Sequence, residues 1–214
     1  MQPDQFSARL TLHIKFKIQV MPFLDSSQVA VLGFKSVGNG VLISDRAAIY
    51  GAERISLGNN VRIDDFCLLS AGEGGIEIGN YIHIAAYSSL IGKALIRLMD
   101  FSGLSSRVSV YSSSDDYSGK SMTNPMVPEE FRNVKSKPVI IGRHVIVGAG
   151  AVLLPGIEIG DGSAIGALSL VSKSVEPGVI VSGNPARTVT KRSDRIFTLE
   201  AAMFGLPNQT KEDN

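Results

Sequence analysis

Among 214 residues there is a single cysteine, Cys67, so no disulfide can form within the chain. Lys and Arg number 21 against 20 Asp and Glu, a net charge of +1 that gives no basis for bulk attraction to nucleic acid or to an anionic membrane. No apolar run reaches membrane-spanning length, and the first ten residues lack the basic n-region of a secretory signal, so the expected location is the cytoplasm. Histidine occurs only at His13, His83 and His144. These shortages leave one moderately apolar domain, long enough to close a single core.

What the chain has in abundance is a period of six. Apolar residues recur at Val37, Ile43, Ile49; Leu57, Ile63, Leu69; Ile78, Ile84, Leu90; Leu98, Leu104, Val110; Ile141, Val147, Leu153; and Ile159, Ile165, Val171. Four residues after each middle anchor stands a smaller residue: Ala47, Cys67, Ser88, Val108, Ala151, Ser169. Neither the helical period nor plain strand alternation produces six. Three short strands, each carrying one large and one small inward residue, make an eighteen-residue triangular coil, and such coils stack about 4.8 Å apart into a parallel β-helix. Gly58, Gly79, Gly142, Gly148, Gly160 and Gly166 each follow an anchor, where the missing Cβ is expected to let the chain bend.

Successive coils begin 20, 21, 20, 43 and 18 residues apart, and every excess over eighteen falls after the third strand of its coil. One edge of the prism therefore bulges, and a long arm, about 112–137, leaves from it. A long insertion on a regular scaffold is a functional candidate. Before the repeats, Leu10, Leu12, Ile14, Phe16, Ile18 and Val20 alternate with polar residues and predict a half-buried strand that caps the first coil or pairs with another chain. After them, Ser193 or Asp194 is placed to cap a short helix with Ile196, Leu199 and Met203 on one face. The expected organisation is a capping segment at 1–36, a β-helix at 37–192 with the arm at 112–137, and a helix with a polar tail at 193–214.

These repeats, the arm, and Gly183-Asn184-Pro185-Ala186-Arg187 after the last coil resemble the hexapeptide-repeat acyltransferases. Val147-Gly148-Ala149-Gly150 and Val171-Ser172-Lys173 are similar to that family's terminal coils. The resemblance covers roughly 37–192. It implies an all-β fold, a left-handed parallel β-helix of about six coils, although the usual crossover rule favours the other hand. It also implies a homotrimer with active sites between adjacent prisms, and acetyl-coenzyme A as cosubstrate without a metal. By the family pattern Ala149 and Ala167 lie along the pantetheine arm, Ser172, Lys173 and Arg187 near the adenosine phosphates, and Lys191 and Arg192 are plausible additions.

Ser112-Ser113-Ser114-Asp115-Asp116-Tyr117-Ser118-Gly119 resembles the sugar acetyltransferases of surface-polysaccharide pathways, as do Ile82–Tyr87 and Phe101–Ser106. Galactoside and xenobiotic acetyltransferases carry a catalytic histidine just inside the arm, where this chain has Asp115 and Asp116. A neutral amine attacks a thioester without strong deprotonation, whereas a hydroxyl needs a real base, so adjacent carboxylates suit an amine. The candidate catalytic residues are Asp115, Asp116 and the outward-facing His83, with Tyr117 either contacting the sugar or serving as the arm's apolar foot. A solvated acidic turn is the plain alternative for the two aspartates, and an exposed structural residue for His144. Cys67 is expected to be a packed thiol.

The implied activity is acetyl-coenzyme A-dependent N-acetylation of a nucleotide-linked amino sugar. The alternatives are O-acetylation of a sugar or glycan, a carbonic-anhydrase-like zinc site on the same scaffold, and a purely structural solenoid. His83 and His144 occupy different places in their coils, with no third outward histidine to join them, which disfavours the zinc site. A structural solenoid leaves the arm and the Gly-Asn-Pro-Ala-Arg ending without a purpose.

Overall fold

The computed structural model describes residues 23–206; the alternating segment 10–20 lies outside them. Strands of two to four residues form three parallel sheets, the faces of a triangular prism. The first face stacks Ser36–Val37, Ile55–Leu57, Ile76–Ile78, Ile96–Leu98, Val139–Ile141 and Glu158–Ile159. The second stacks Leu42–Ile43, Val61–Ile63, Ile82–Ile84, Gly103–Leu104, Ile146–Val147, Ala164–Ile165 and Val179–Ser182, and ends on the antiparallel Arg187–Lys191. The third runs from Ala48–Tyr50 through Leu68–Ala71, Ser89–Gly92, Ser109–Tyr111 and Val152–Leu153 to Leu170–Val171. The chain is a parallel β-helix of six coils with a seventh begun.

Stacking is in register: Leu57 pairs with Ile78, Ile84 with Leu104, and Val147 with Ile165. Every anchor except Val37 and Ile49, both in the first coil, is buried. Each such side chain removed from water contributes about 1.5–3 kcal/mol. The small positions Cys67, Ser88, Val108, Ala151 and Ser169 also face inward. A further buried column, Val61, Ile82, Ser102, Val145 and Ser163, lies two residues before the middle anchors.

The glycines after the anchors work differently from the expectation. Their φ angles are ordinary, and what excludes a side chain is the next coil: a Cβ on Gly58 would lie 2.5 Å from the carbonyl oxygen of Gly79, and one on Gly148 2.5 Å from the nitrogen of Ala167. The bends fall elsewhere, on residues in the left-handed region. Between the first and second faces these are Gly40, Asn60, Tyr81, Phe101, His144, Gly162 and Gly178; between the second and third, Phe66, Tyr87, Arg107, Gly150 and Leu168. A side chain in that region costs about 1–2 kcal/mol, which side-chain stacking can offset.

The first coil is covered by α1 (Ser26–Val31), closed by a capping box between Asp25 and Gln28, with Val29 buried in the core. Asn39, Asn59, Asn80 and Asp100 form a polar ladder on the first corner: the side-chain oxygens of Asn59, Asn80 and Asp100 each accept from the backbone N–H one coil earlier. The second helix, α2 (Arg195–Met203), packs on the same corner. Of the expected face only Ile196 is half-buried, beside Gly162. Leu199 and Met203 are exposed, while Phe197 and Glu200 reach the corner, because Tyr81, Phe101 and His144 form a stacked ladder there (4.8 and 4.9 Å between centroids) that Phe197 and Phe204 meet edge-on. Its expected cap is also weaker: Asp194 makes no side-chain capping bond, and Ser193 Oγ accepts from Arg195 N at 3.3 Å.

Candidate active site

His83 stands on the second face with its side chain 52% exposed, and its neighbours in register are Arg62 and Gly103. The absence of a side chain at Gly103 opens a groove of ≈ 300 Å³ lined by His83, Ala85, Gly103, Leu104, Ser105, Ser106 and Ile146. Asp64, one coil earlier, holds the ring: His83 Nε2–H donates to Asp64 Oδ2 at 2.7 Å, and Arg62 Nε donates to Oδ1 at 2.7 Å. Burial alone would raise the Asp64 carboxyl, but its bonds to His83 and Arg62 prevail and hold it below the usual value. A carboxylate on Nε2 fixes the tautomer that leaves Nδ1 as the proton acceptor. Sequence reasoning missed Asp64, Ser105 and Ser106; the signal for Asp64 was its place one coil from His83, legible only once the register is known.

The arm opens at Ser112 and closes at Lys137, whose N–H donates to Ser112 O at 3.0 Å. Ser113–Ser114 and Lys135–Ser136 pair antiparallel to form its neck. Just beyond the neck the two aspartates diverge. Asp116 is buried and accepts from Ser118 N and Ser118 Oγ, both at 2.9 Å; these bonds lower its carboxyl, the backbone N–H foremost. It shapes the turn. Among the described residues Asp115 accepts only a long bond from Asn124 N, 3.4 Å, and together with Asp116, Tyr117 and Thr123 it lines an open arm cavity of ≈ 650 Å³. Tyr117 is 94% exposed, so it is not a foot packed on the scaffold.

Within one chain this arm cavity and the His83 groove share no lining residue. His144 is structural but not exposed: its side chain is 12% exposed and its Nε2–H donates to Glu200 Oε2 at 2.6 Å. Cys67 is a packed thiol whose Sγ lies 3.2 Å from Ala85 O, with its pKa pushed up by burial to about 11.

Ala149 and Ala167 lie exposed on the corner between the second and third faces, and neither backbone N–H has an acceptor among the described residues. Extended ligands bond to such free donors. The Gly183–Arg187 segment forms the turn that returns the chain from Val179–Ser182 into Arg187–Lys191; Gly183 O accepts from Leu170 N and Leu170 O from Ala186 N, which places Arg187 beside the last coil. Ser172, Lys173, Arg187 and Lys191 are exposed, with Lys191 paired with Val179 at the far end of the hairpin from Arg187. Arg192 is committed elsewhere: Nη1 donates to the carbonyls of His144, Gly162 and Ser163 at 2.8–3.1 Å.

Comparison with known proteins fits this geometry. Residues 138–173 match the family model for bacterial transferase hexapeptide repeats. The chain is 52% identical over 181 residues to a dTDP-4-amino-4,6-dideoxy-D-glucose acyltransferase of Escherichia coli, covering 85% of this chain and 94% of that one. The chain belongs to the hexapeptide-repeat acyltransferases. Among solved structures, the N-acyltransferase AntD of Bacillus cereus in complex with dTDP and 3-hydroxybutyryl-coenzyme A is 43% identical, with a TM-score of 0.82 over 86% of this chain and 96% of that one. A serine variant of AntD, in complex with dTDP-4-amino-4,6-dideoxyglucose and coenzyme A, is 42% identical, with a TM-score of 0.84 over 87% and 98%. No helix among the described residues is long and apolar enough to cross a membrane.

Proposed function

We propose that this acyltransferase moves an acetyl group from acetyl-coenzyme A to the amino group of a nucleotide-linked amino sugar, as a cytoplasmic homotrimer serving polysaccharide biosynthesis. The relatives' acceptor, a 4-amino-4,6-dideoxyglucose on dTDP, supports the substrate class. The observation that carries the chemistry is the inequality of the two aspartates that line the arm cavity: Asp116 is spent on the arm's turn, while Asp115 accepts only the long Asn124 bond among the described residues. An uncommitted carboxylate attracts and orients an amine, which must shed its ammonium proton before it attacks. The amine nitrogen bonds to the thioester carbonyl carbon, the C–S bond breaks, and the nitrogen's surplus proton passes to His83 Nδ1 or to water, while the thiolate leaves.

That the arm cavity and the His83 groove share no lining residue supports the trimer, in which the arm of one copy completes the groove of the next. Ala149 and Ala167 offer free N–H donors to the pantetheine arm, with Ser172, Lys173 and Arg187 toward the phosphates and Lys191 farther off. The test is mass spectrometry of products formed from acetyl-coenzyme A and a panel of nucleotide-linked amino sugars. The expected product is an N-acetyl nucleotide sugar; acetylation of hydroxyls alone would establish the O-acetyltransferase instead. Supplying 3-hydroxybutyryl-coenzyme A in parallel reports the acyl preference.

A further inference from the structure

Phe23, Arg62, Asp64 and His83 form a connected line that starts where the chain enters the first coil and ends at the candidate base. Phe23 bridges Ser44 in antiparallel fashion, and Leu24 N–H donates to Ile43 O at 2.8 Å, so the backbone fixes where the ring stands. The guanidinium carbon of Arg62 lies 5.4 Å from the centre of that ring. Arg62 Nε donates to Asp64 Oδ1, and Asp64 Oδ2 accepts from His83 Nε2–H, both at 2.7 Å. The carboxylate between them is shielded, with its side chain only 14% exposed. Arg62 is also the register partner of His83, one coil earlier. Asp65 is turned away, to Ser44 and Arg46, and no other charged side chain lines the groove beside the imidazole. Among the described residues, the charged groups that face His83 are therefore Asp64 and Arg62.

We propose that Arg62, held by Phe23, is a positioning residue for acyl transfer: it pins the Asp64 carboxylate that orients His83 and offsets its charge, so that the imidazole gives up the proton it takes from the amine. The inference rests on the reading of His83 Nδ1 as the proton acceptor, and adds what readies that atom for the next turnover. A carboxylate bonded to His83 alone would be free to swing, and its uncompensated charge would retain the imidazolium formed when the amine's proton arrives. Arg62 opposes both. Its Nε–H occupies the second carboxylate oxygen, so the group is held from two sides, and its permanent charge beside the ring disfavours a second positive charge there. Phe23 matters because Arg62 is half exposed and would otherwise range through solvent; the face of the ring attracts the guanidinium and confines it. The proton balance is simple. Nδ1 receives the proton that the amine nitrogen sheds, and after the product leaves it passes that proton to water and returns to the neutral tautomer.

The test is the turnover–pH profile with a nucleotide-linked amino sugar, measured beside imidazole nitrogen NMR spectra of the substrate-free protein. Both are recorded on full-length wild type, Arg62→Met, Arg62→Lys, Phe23→Leu, Asp64→Asn and His83→Gln. The wild-type spectra should show His83 protonated on Nε2 with Nδ1 bare. Arg62→Met should raise the pH at which the ring sheds its second proton, and lower turnover at neutral pH severalfold. That loss should be recovered at higher pH, with the acceptor's Michaelis constant unchanged. Phe23→Leu should act in the same direction but less, and Arg62→Lys, which keeps the charge, should restore most of the wild-type profile. Asp64→Asn should mix the two tautomers and lower turnover at every pH. The amine's own ionisation enters all of these profiles equally, so differences between variants carry the answer. If Arg62→Met and Phe23→Leu leave profile and spectra unmoved while His83→Gln loses turnover, the positioning role is overturned and His83 stays the acceptor. Turnover lost in Arg62→Met at every pH, with unmoved His83 spectra, would mark a purely structural role and overturn it as well. A His83→Gln protein as active as the wild type would remove the proton-acceptor reading and this inference together.

Discussion

Asp115 and Asp116 are adjacent in sequence yet face different demands, and this separates their mutational outcomes. Asp115→Asn removes a charge that no donor among the described residues holds closely, so the Michaelis constant for the amino sugar should rise about tenfold with the arm intact. Asp116→Ala removes the acceptor of two Ser118 bonds, so the arm should become protease-sensitive before any kinetic effect appears. An unchanged acceptor constant in the first variant would take Asp115 out of the site. His83→Gln should lower turnover 10²–10⁴-fold if the imidazole accepts the proton. An amine that need only be neutral would instead give a rate that climbs with its own ionisation in both wild type and variant. The arginines divide in the same way. Arg187→Ala, like Lys173→Ala, should raise the Michaelis constant for acetyl-coenzyme A severalfold without changing the melting temperature. Arg192→Ala should do the reverse, losing about 1–3 kcal/mol of stability because its three carbonyl partners on the last coils are left unclamped. The family resemblance put Arg187 near the phosphates and added Lys191 and Arg192; the hairpin's register sets Lys191 apart, and the three carbonyl bonds set Arg192 apart.

Among the elements, α2 illustrates where periodicity stops informing. Its apolar residues allow more than one face, and the choice is made by a corner formed from residues 81, 101 and 144, remote in sequence and brought together by stacking. The same contact reverses the expected exposure of His144. Glu200 is the polar centre of that docking, bonded to His144 and to Arg143 Nη2. Burial would raise the Glu200 carboxyl, but His144 and Arg143 more than offset it and leave it below its ordinary value of 4.5. A depressed carboxyl contributes its full stability above the unfolded value and loses it as pH falls through the folded one. The docking of α2 should therefore be firm above about pH 4.5 and weaken progressively below it. Hydrogen exchange of Arg195–Met203 measured against pH checks this. Glu200→Gln should raise exchange at neutral pH and flatten its acid dependence; an unaltered profile would show that the helix is held by its aromatic contacts alone. The strands were far more legible, because each anchor's environment repeats in the next coil. The Ser102 and Ser163 column was not, since serine at a buried site leaves no hydropathy signal.

At the scale of the whole molecule, the uneven spacing of the coils located the arm without revealing its internal structure. The excess residues had to leave the prism after a third strand, and the arm opens at Ser112 and closes at Lys137. In the proposed trimer the arm meets another chain, and no repeat period encodes such a contact. The paired neck offers a clean test. Ser113 lies opposite Ser136 and Ser114 opposite Lys135, so replacing residues 115–134 with Asn-Gly closes the neck as a two-residue hairpin without straining the coils. The β-helix should then keep its circular dichroism and melting transition, because the arm contributes nothing to the buried ladders of anchors. Acetyl transfer should fall at least 10²-fold, since the proposed site residues Asp115 and Tyr117 leave with the arm, while coenzyme A binding should persist, since its proposed contacts Ala149, Ala167, Lys173 and Arg187 lie outside the arm. Mixing this shortened chain with an excess of His83→Gln chains extends the test to the assembly. If the arm of one copy serves the groove of the next, trimers holding both chain types contain an intact arm facing an intact His83, and activity returns although neither parent has it. If each chain carries its own complete site, no mixture recovers turnover, and the intersubunit site is wrong.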